Sequence, residues 1–310
     1  MQVLFANPFH IEDLQIFDDD TLCTLLADES SGQTIEQLAH SVHGAPTTLI
    51  QRIQHDLPPD QYSLFKGAYR DSLSPEEIAY AQREVLDRFF WELTYWKTPE
   101  LYEELTEGEH LHPGIFEHLE AEIRDRRVLD VGAGSGRATL QCLRYGARLV
   151  YAVEPSPGLR RILARKLARY SAGNRLLLYT GRFEGLPLQD NSVDTTLSCS
   201  AFTTDPAQSG EAGLAEMKRV TRPGGKIILI WPLHQDLAWL QAHGFHYVVL
   251  PMLREMCVHF RSLRSALHCA RHFYAQNQAV ARYILTEHSP EVPFSIIGIN
   301  PPHDYCWLEA

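Results

Sequence analysis

Short apolar runs recur between residues 127 and 231, each closed by glycine, proline or an acidic residue, and amphipathic stretches separate them. Val128, Leu129 and Val131 form a run with no polar alternation beyond Asp130, the pattern of a strand buried on both faces. It breaks into Gly132, Gly134 and Gly136, after which residues 137–145 read as a helix. Further strands are predicted at 149–154, 175–180, 195–199 and 227–231. Strands that alternate with helical patterns predict an α/β domain with a parallel sheet.

The first 126 residues lack this alternation and read as a separate helical domain, so the chain divides into 1–126 and 127–310. Ile35, Leu38, Ala39 and Val42 share one helical face, residues 44–46 break the chain, and Leu49, Ile50 and Ile53 mark a second helix. The arrangement predicts a helix-turn-helix over 34–53. Ser74, Pro75, Glu76 and Glu77 combine an N-cap, a first-turn proline and early acids, which predicts one long helix over 78–96. Its end carries Phe89, Phe90, Trp91, Tyr95 and Trp96, either ordinary core or a roof for a neighbouring cleft. A helical insertion is expected at about 252–288.

Charge divides with the domains. Residues 1–126 hold 8 Lys/Arg against 25 Asp/Glu, and residues 127–310 hold 20 against 14. A helix-turn-helix that grips DNA needs cations for phosphate, and this one offers only Arg52 within a strongly acidic domain. DNA is therefore not expected as a partner. No run approaches the roughly 18 apolar residues of a membrane span, and the first ten residues lack a basic start, so no membrane partner and a cytoplasmic location are expected. Six cysteines without a Cys-x-x-Cys pair read as reduced thiols. His268 and His272 share a helical face but have no third ligand near them in sequence, so no metal site is expected.

The glycine turn carries the candidate chemistry. Left-handed glycines let backbone approach a ligand closely, and the following helix directs its first N–H groups at the loop. A dinucleotide fingerprint needs glycine at 137, where this chain has Arg137. With Asp130 two residues ahead of Gly132, the stretch resembles the first motif of class I S-adenosylmethionine-dependent methyltransferases. Four later stretches resemble the same family in the same order: 149–154 ending in Glu154, 18 residues past Gly136; 175–188; 190–199; and 217–231. The resemblance implies a Rossmann-like α/β fold with a seven-stranded, mostly parallel sheet, beside an α-helical N-terminal domain. It implies S-adenosylmethionine as cofactor, with Asp130, Gly132, Ala133, Gly134 and Gly136 at the methionine end. Glu154 and Pro155 would lie at the ribose, Arg182 and Phe183 at the adenine, and Cys199 and Ser200 at the edge of the methyl-transfer cleft. Many members carry an acid where this chain has Arg182. Arginine offers no acceptor, so either backbone near Phe183 reads the adenine or Arg182 turns to solvent.

The sequence leaves the acceptor open. Residues 200–205 follow the fourth strand at the sheet edge where α/β folds bind ligands. A base is required only if the acceptor loses a proton, and His234, His110 and His112 are the candidates. Aromatic O-methyltransferases of the winged-helix type carry a His-Asp pair near here, and none is visible in this sequence. The expected partner is a small-molecule acceptor, with a homodimer formed through the winged-helix-like N-terminal segment. The alternatives are a methyltransferase of RNA or protein, and a ligand-sensing regulator that uses the helix-turn-helix.

Overall fold

A computed structural model describes residues 7–27, 35–169, 175–204 and 210–310. Contacts divide the chain into two compact units, Met1–Pro99 and Glu100–Ala310. The division falls earlier than 126. Residues 100–126 pack with the sheet because Ile115, Phe116, Leu119 and Ile123 join the apolar cluster around Val128, Val150 and Leu197.

In the second unit the main sheet has seven strands among the described residues. They are β1 (Arg127–Val131), β2 (Leu149–Val153), β3 (Leu176–Tyr179), β4 (Val193–Cys199), β5 (Thr221–Ile230), β6 (His246–Val249) and β9 (Asp304–Glu309). A separate ribbon pairs β7 (Cys257–His259) with β8 (Glu291–Pro293). The spatial order is β3-β2-β1-β4-β5-β9-β6, parallel through β5, with β9 antiparallel to both β5 and β6. This is the Rossmann-like methyltransferase sheet expected from the motif order.

Both faces of the central strands are covered, which explains their unbroken apolar character. Val128 and Leu197 face the helix Arg137–Arg144, and Leu129, Val131 and Val193 face the helix Gly210–Val220. Thr196 and Thr221 sit fully buried between β4 and β5 and share a hydroxyl hydrogen bond of 2.7 Å, so neither is an unsatisfied polar group. The late insertion is more than helical. The ribbon of β7 and β8 frames the helices Leu263–Phe273 and Gln278–Glu287, and Val258, Val292, Cys269 and Ile284 close a core of their own.

The first unit is helical throughout its described residues. Helices Ile35–Ser41 and Thr47–Asp56 stand where the helix-turn-helix was expected, while Thr34 lies outside the described residues. Arg52, the one cation of that motif, is engaged within the unit: it donates to Asp19 at 2.6 Å and to the Phe17 carbonyl at 2.5 Å. Ser74 caps Pro75–Arg88 as expected, with Glu77 reciprocating. The single helix over 78–96 is instead two, Pro75–Arg88 and Phe90–Lys97, broken where Phe89 takes φ −89° and ψ 14°. The break buries Phe89 and Phe90 together and leaves Trp91 at the surface, because five aromatics around a turn and a half cannot share one stripe.

Candidate functional site

Parallel strands deliver their following residues to one edge, and the glycine turn sits there between β1 and the helix Arg137–Arg144. Gly132, Gly134 and Gly136 have φ of +68°, +54° and +98°. Their neighbourhoods differ. A Cβ on Gly132 would meet the Ala201 Cβ at 2.6 Å, and one on Gly136 would meet Leu163 Cδ1 at 2.4 Å. A Cβ on Gly134 would meet nothing within 4 Å, and Gly134 lines a small, partly open cavity.

That cavity is lined by the turn, by Asp130, Arg137, Cys199 and Ser200, and by Tyr102 and Thr106 from the helix Pro99–Gly108. Asp130 is fully buried. Its Oδ2 accepts the Thr139 hydroxyl at 2.5 Å, while Oδ1 has no hydrogen-bond partner. Burial pushes its carboxyl up to about 7 against the pull of Thr139, and the Glu154 charge adds to the rise. Leaving a buried acceptor unmet costs about 1–3 kcal/mol, and such a cost is retained where a ligand supplies the partner.

Glu154 ends the run of β2 as expected, and its carboxylate is committed to backbone. Oε2 accepts the Gly134 N–H at 2.9 Å and Oε1 accepts the Ser156 N–H at 2.8 Å. Each oxygen keeps a second lone pair. Burial raises its pKa, with these two amides and the Arg160 charge opposing. Pro155 is held from behind, since Arg160 donates to the carbonyls of Glu154 and Pro155 at 2.7 and 2.5 Å. Phe183 is buried beside Gly132 and meets Phe202 edge-on at 5.7 Å. Arg182 sits half-buried, its backbone in a bridge to Gly185. Arg219 knits this loop to its helix through the carbonyls of Leu186 and Leu188 and through Asp190 and Glu216.

At the ends of β4 and β5 two residues other than glycine adopt left-handed backbone, Ser200 at φ +58° and Trp231 at φ +52°. Each costs about 1–3 kcal/mol, and such strain gathers at functional edges. Thr204 ties the two loops together by donating its N–H and hydroxyl to buried Asp236. Asp205, expected with residues 200–204 at the cleft, lies outside the described residues. Cys199 lines the cavity as a neutral thiol, pushed up to about 12 by burial.

The histidines separate. His234 Nε2 lies 3.1 Å from buried Asp304 Oδ2, which also accepts the Tyr247 hydroxyl at 2.7 Å. A His-Asp pair absent from any local motif is thus assembled over 70 residues of sequence, because antiparallel β9 brings its first residue to the end of β5. His112 accepts the Gly114 N–H and caps a turn, and His110 stacks on His259 at 5.2 Å; none of the three, His234 included, lines the cavity. His110 titrates lower than usual through burial and the His259 charge.

The roof of the cavity escaped the sequence reading. It includes Tyr102 and Thr106 of the helix Pro99–Gly108, and acids hold that helix. Glu100 pairs with Arg161 and Arg165, Glu103 with Lys166 and Glu107 with Arg261, while Glu109 just beyond pairs with Arg137 at 2.6 Å. Arg161, Arg165 and Lys166, all on the helix that follows β2, therefore face this acidic helix. An i, i+3, i+4 register of acids ahead of β1 was the available signal.

A family model described as a methyltransferase domain matches residues 129–229. An uncharacterized methyltransferase of Mycobacterium bovis is 37% identical over 121 residues, 38% of this chain and 45% of that protein. One of Geobacillus kaustophilus is 31% identical over 186 residues, 56% of this chain and 81% of that protein. A putative S-adenosylmethionine-dependent methyltransferase structure from Methanococcus maripaludis aligns over 69% of this chain and 91% of that one, with 13% identity and a TM-score of 0.41. The chain thus spans under half the length of the Mycobacterium protein, 45%, and most of the Geobacillus one. The chain belongs to the class I S-adenosylmethionine-dependent methyltransferases.

The residues present fit that family's cofactor. Asp130 Oδ1 is a buried acceptor awaiting a donor, and Gly134 leaves free the space a side chain would fill. The spare lone pairs of Glu154 can take a diol, and the Phe183 ring offers an apolar neighbour for a purine.

Proposed function

We propose that this protein is an S-adenosylmethionine-dependent methyltransferase whose acceptor is a small organic molecule. The observation that carries the reading is the unpartnered Asp130 Oδ1 inside a cavity bounded by the glycine turn, with Glu154 hydrogen-bonded to that turn. Asp130 and residues 132–136 hold the methionine end, Glu154 and Pro155 the ribose side, and Phe183 with Arg182 the adenine side. Bound there, the cofactor supplies an electrophilic methyl group on a sulfonium.

What remains for the protein is positioning and exclusion of water, which can supply most of the rate of an in-line transfer. Tyr102 and Thr106 close the cavity from above, and Cys199 and Ser200 form its edge at β4. For an acceptor that loses a proton, His234 is the base, oriented by Asp304 and Tyr247. The proton leaves through the ring nitrogen not engaged by Asp304, Nδ1.

A small acceptor is supported by the fate of the cations. An RNA substrate needs free Lys and Arg for phosphate, yet Arg161, Arg165 and Lys166 pair with acids of the roof helix, and Arg160 holds backbone carbonyls. We also assign homodimerisation to the N-terminal unit and a cytoplasmic setting to the whole; no helix among the described residues is long and apolar enough to cross a membrane.

Calorimetry with S-adenosylhomocysteine tests the cofactor site. The wild type binds, and Glu154→Gln, which cannot accept from the Gly134 and Ser156 amides through both atoms, binds at least about tenfold more weakly. Equal binding by both sinks the assignment. Incubation of a cell extract with methyl-labelled cofactor tests the acceptor: label in the low-mass fraction is expected, and label confined to RNA or protein overturns the small-molecule reading.

A further inference from the structure

The N-terminal unit carries a cluster of side chains that the candidate cofactor site does not use. Glu36 and His40 stand one helical turn apart on the helix Ile35–Ser41, so their side chains share a face. Asp71 reaches the same face from the turn after the helix Pro59–Ala68, and its Oδ2 lies 3.0 Å from His40 Nε2. One ligand atom from each of the three residues lies within 4.8 Å of the other two, with His40 partly buried and both acids exposed. No local motif announces the set, because 31 residues separate His40 from Asp71.

The backbone that presents these groups is held by other contacts. Leu38, Ala39 and Ser41 of the short helix are buried, and Gln82 donates to the Ser41 carbonyl at 3.0 Å. Asp71 donates its N–H to the Ala68 carbonyl at 3.0 Å, and Tyr69 in the same turn packs its ring on His43 at 4.8 Å. Two anchored elements therefore aim an imidazole and two carboxylates at one point, the preorganisation a metal site requires. Two carboxylates so placed repel each other unless a cation lies between them. Among the described residues Asp13 pairs with Lys97 and Asp19 with Arg52, whereas neither Glu36 nor Asp71 has a Lys or Arg partner. Residues 1–99 hold 6 Lys/Arg against 16 Asp/Glu, so the field of the unit gathers cations.

Bonds of about 2.0–2.1 Å from zinc to imidazole nitrogen and carboxylate oxygen set tetrahedral ligand atoms about 3.3 Å apart. The His40–Asp71 separation of 3.0 Å is close to that spacing, and exposed Glu36 needs only a side-chain rotation to complete it. The imidazole favours zinc over magnesium or calcium, which prefer oxygen alone. We propose that Glu36, His40 and Asp71 form a zinc site that fastens the helix Ile35–Ser41 to the turn after Pro59–Ala68, with water in the fourth position. The site belongs to the other compact unit from the glycine turn and does not depend on the methyltransferase reading.

The test is calorimetry with zinc chloride on the full chain, stripped beforehand with a chelator. The wild type takes up one zinc per chain in a tight event, and Glu36→Gln, His40→Ala and Asp71→Asn each weaken it at least about tenfold. Weaker uptake by other histidines is common to all four proteins and cancels. Zinc also raises the wild-type melting temperature by at least about 4 °C and leaves the variants unmoved. Because His40→Ala and Asp71→Asn also break the metal-free His40–Asp71 pair, Glu36→Gln, which leaves that pair intact, separates loss of metal from loss of the pair. A tight event that persists in all three variants overturns the proposal, as does a wild type that binds no zinc. A melting shift of equal size in wild type and variants overturns the fastening role.

Discussion

Replacing Asp130 by Asn makes the ligand-free protein more stable at neutral pH while it removes the acceptor the cofactor needs. Burial moves this carboxyl from an ordinary 3.8 to about 7. A group whose pKa is higher in the folded state adds stability that is fully present below its unfolded pKa and lost as pH rises through the folded one. For Asp130 that window runs from about pH 4 to about pH 7. The displacement of about three on the pH scale, at about 1.4 kcal/mol each, amounts to about 4 kcal/mol lost between pH 4 and pH 8. Asn has nearly the same shape, can accept the Thr139 hydroxyl and does not titrate. Urea unfolding of both proteins, without ligand, at half-unit steps of pH follows this group, because the rise at Glu109 is common to both and cancels. The wild type falls relative to the variant by about 4 kcal/mol across the window. Parallel curves refute the reasoning, since they mean that Asp130 is solvated or already partnered.

The two glycines of the turn separate ligand space from fold. Gly134→Ala costs only the left-handed backbone, about 1–2 kcal/mol, yet abolishes S-adenosylhomocysteine binding because Gly134 lines the cavity. Gly136→Ala adds the clash with Leu163 and costs about 2–5 kcal/mol in a thermal melt; similar melting losses for the two would contradict the geometry. Arg219→Ala releases four contacts that hold the loop carrying Phe183, so cofactor affinity falls severalfold, with about 1–2 kcal/mol of stability lost at this partly exposed site. Unchanged affinity in calorimetry would show that the loop is ordered without it.

Much of the glycine-turn side of the candidate site was legible because it is written locally. The turn, Asp130 and Glu154 lie at strand ends within 25 residues, where the apolar run ends and a special backbone or a buried acid must follow. The glycine positions have left-handed backbone, and Glu154 accepts the Gly134 N–H of the turn. The roof was less legible. An amphipathic acidic helix pattern does not name its partner. The break at Phe89 was hidden for a related reason, since a continuous helical pattern does not show which side of an aromatic belt will be buried.

Sequence alone determined the order of strands, the glycine turn and the family they mark, because strand and turn propensities act over a few residues. Tertiary structure decided which distant residues became neighbours. Antiparallel β9 carries Asp304 to His234, the roof helix sets Glu109 against Arg137, and Asp236 binds the loop after β4. It also decided the charge balance, since nine of the first domain's expected acids, from Glu100 to Asp125, belong to the sheet unit. These pairings depend on strand order and helix packing, which sum many weak contacts across the chain, so no window of sequence contains them.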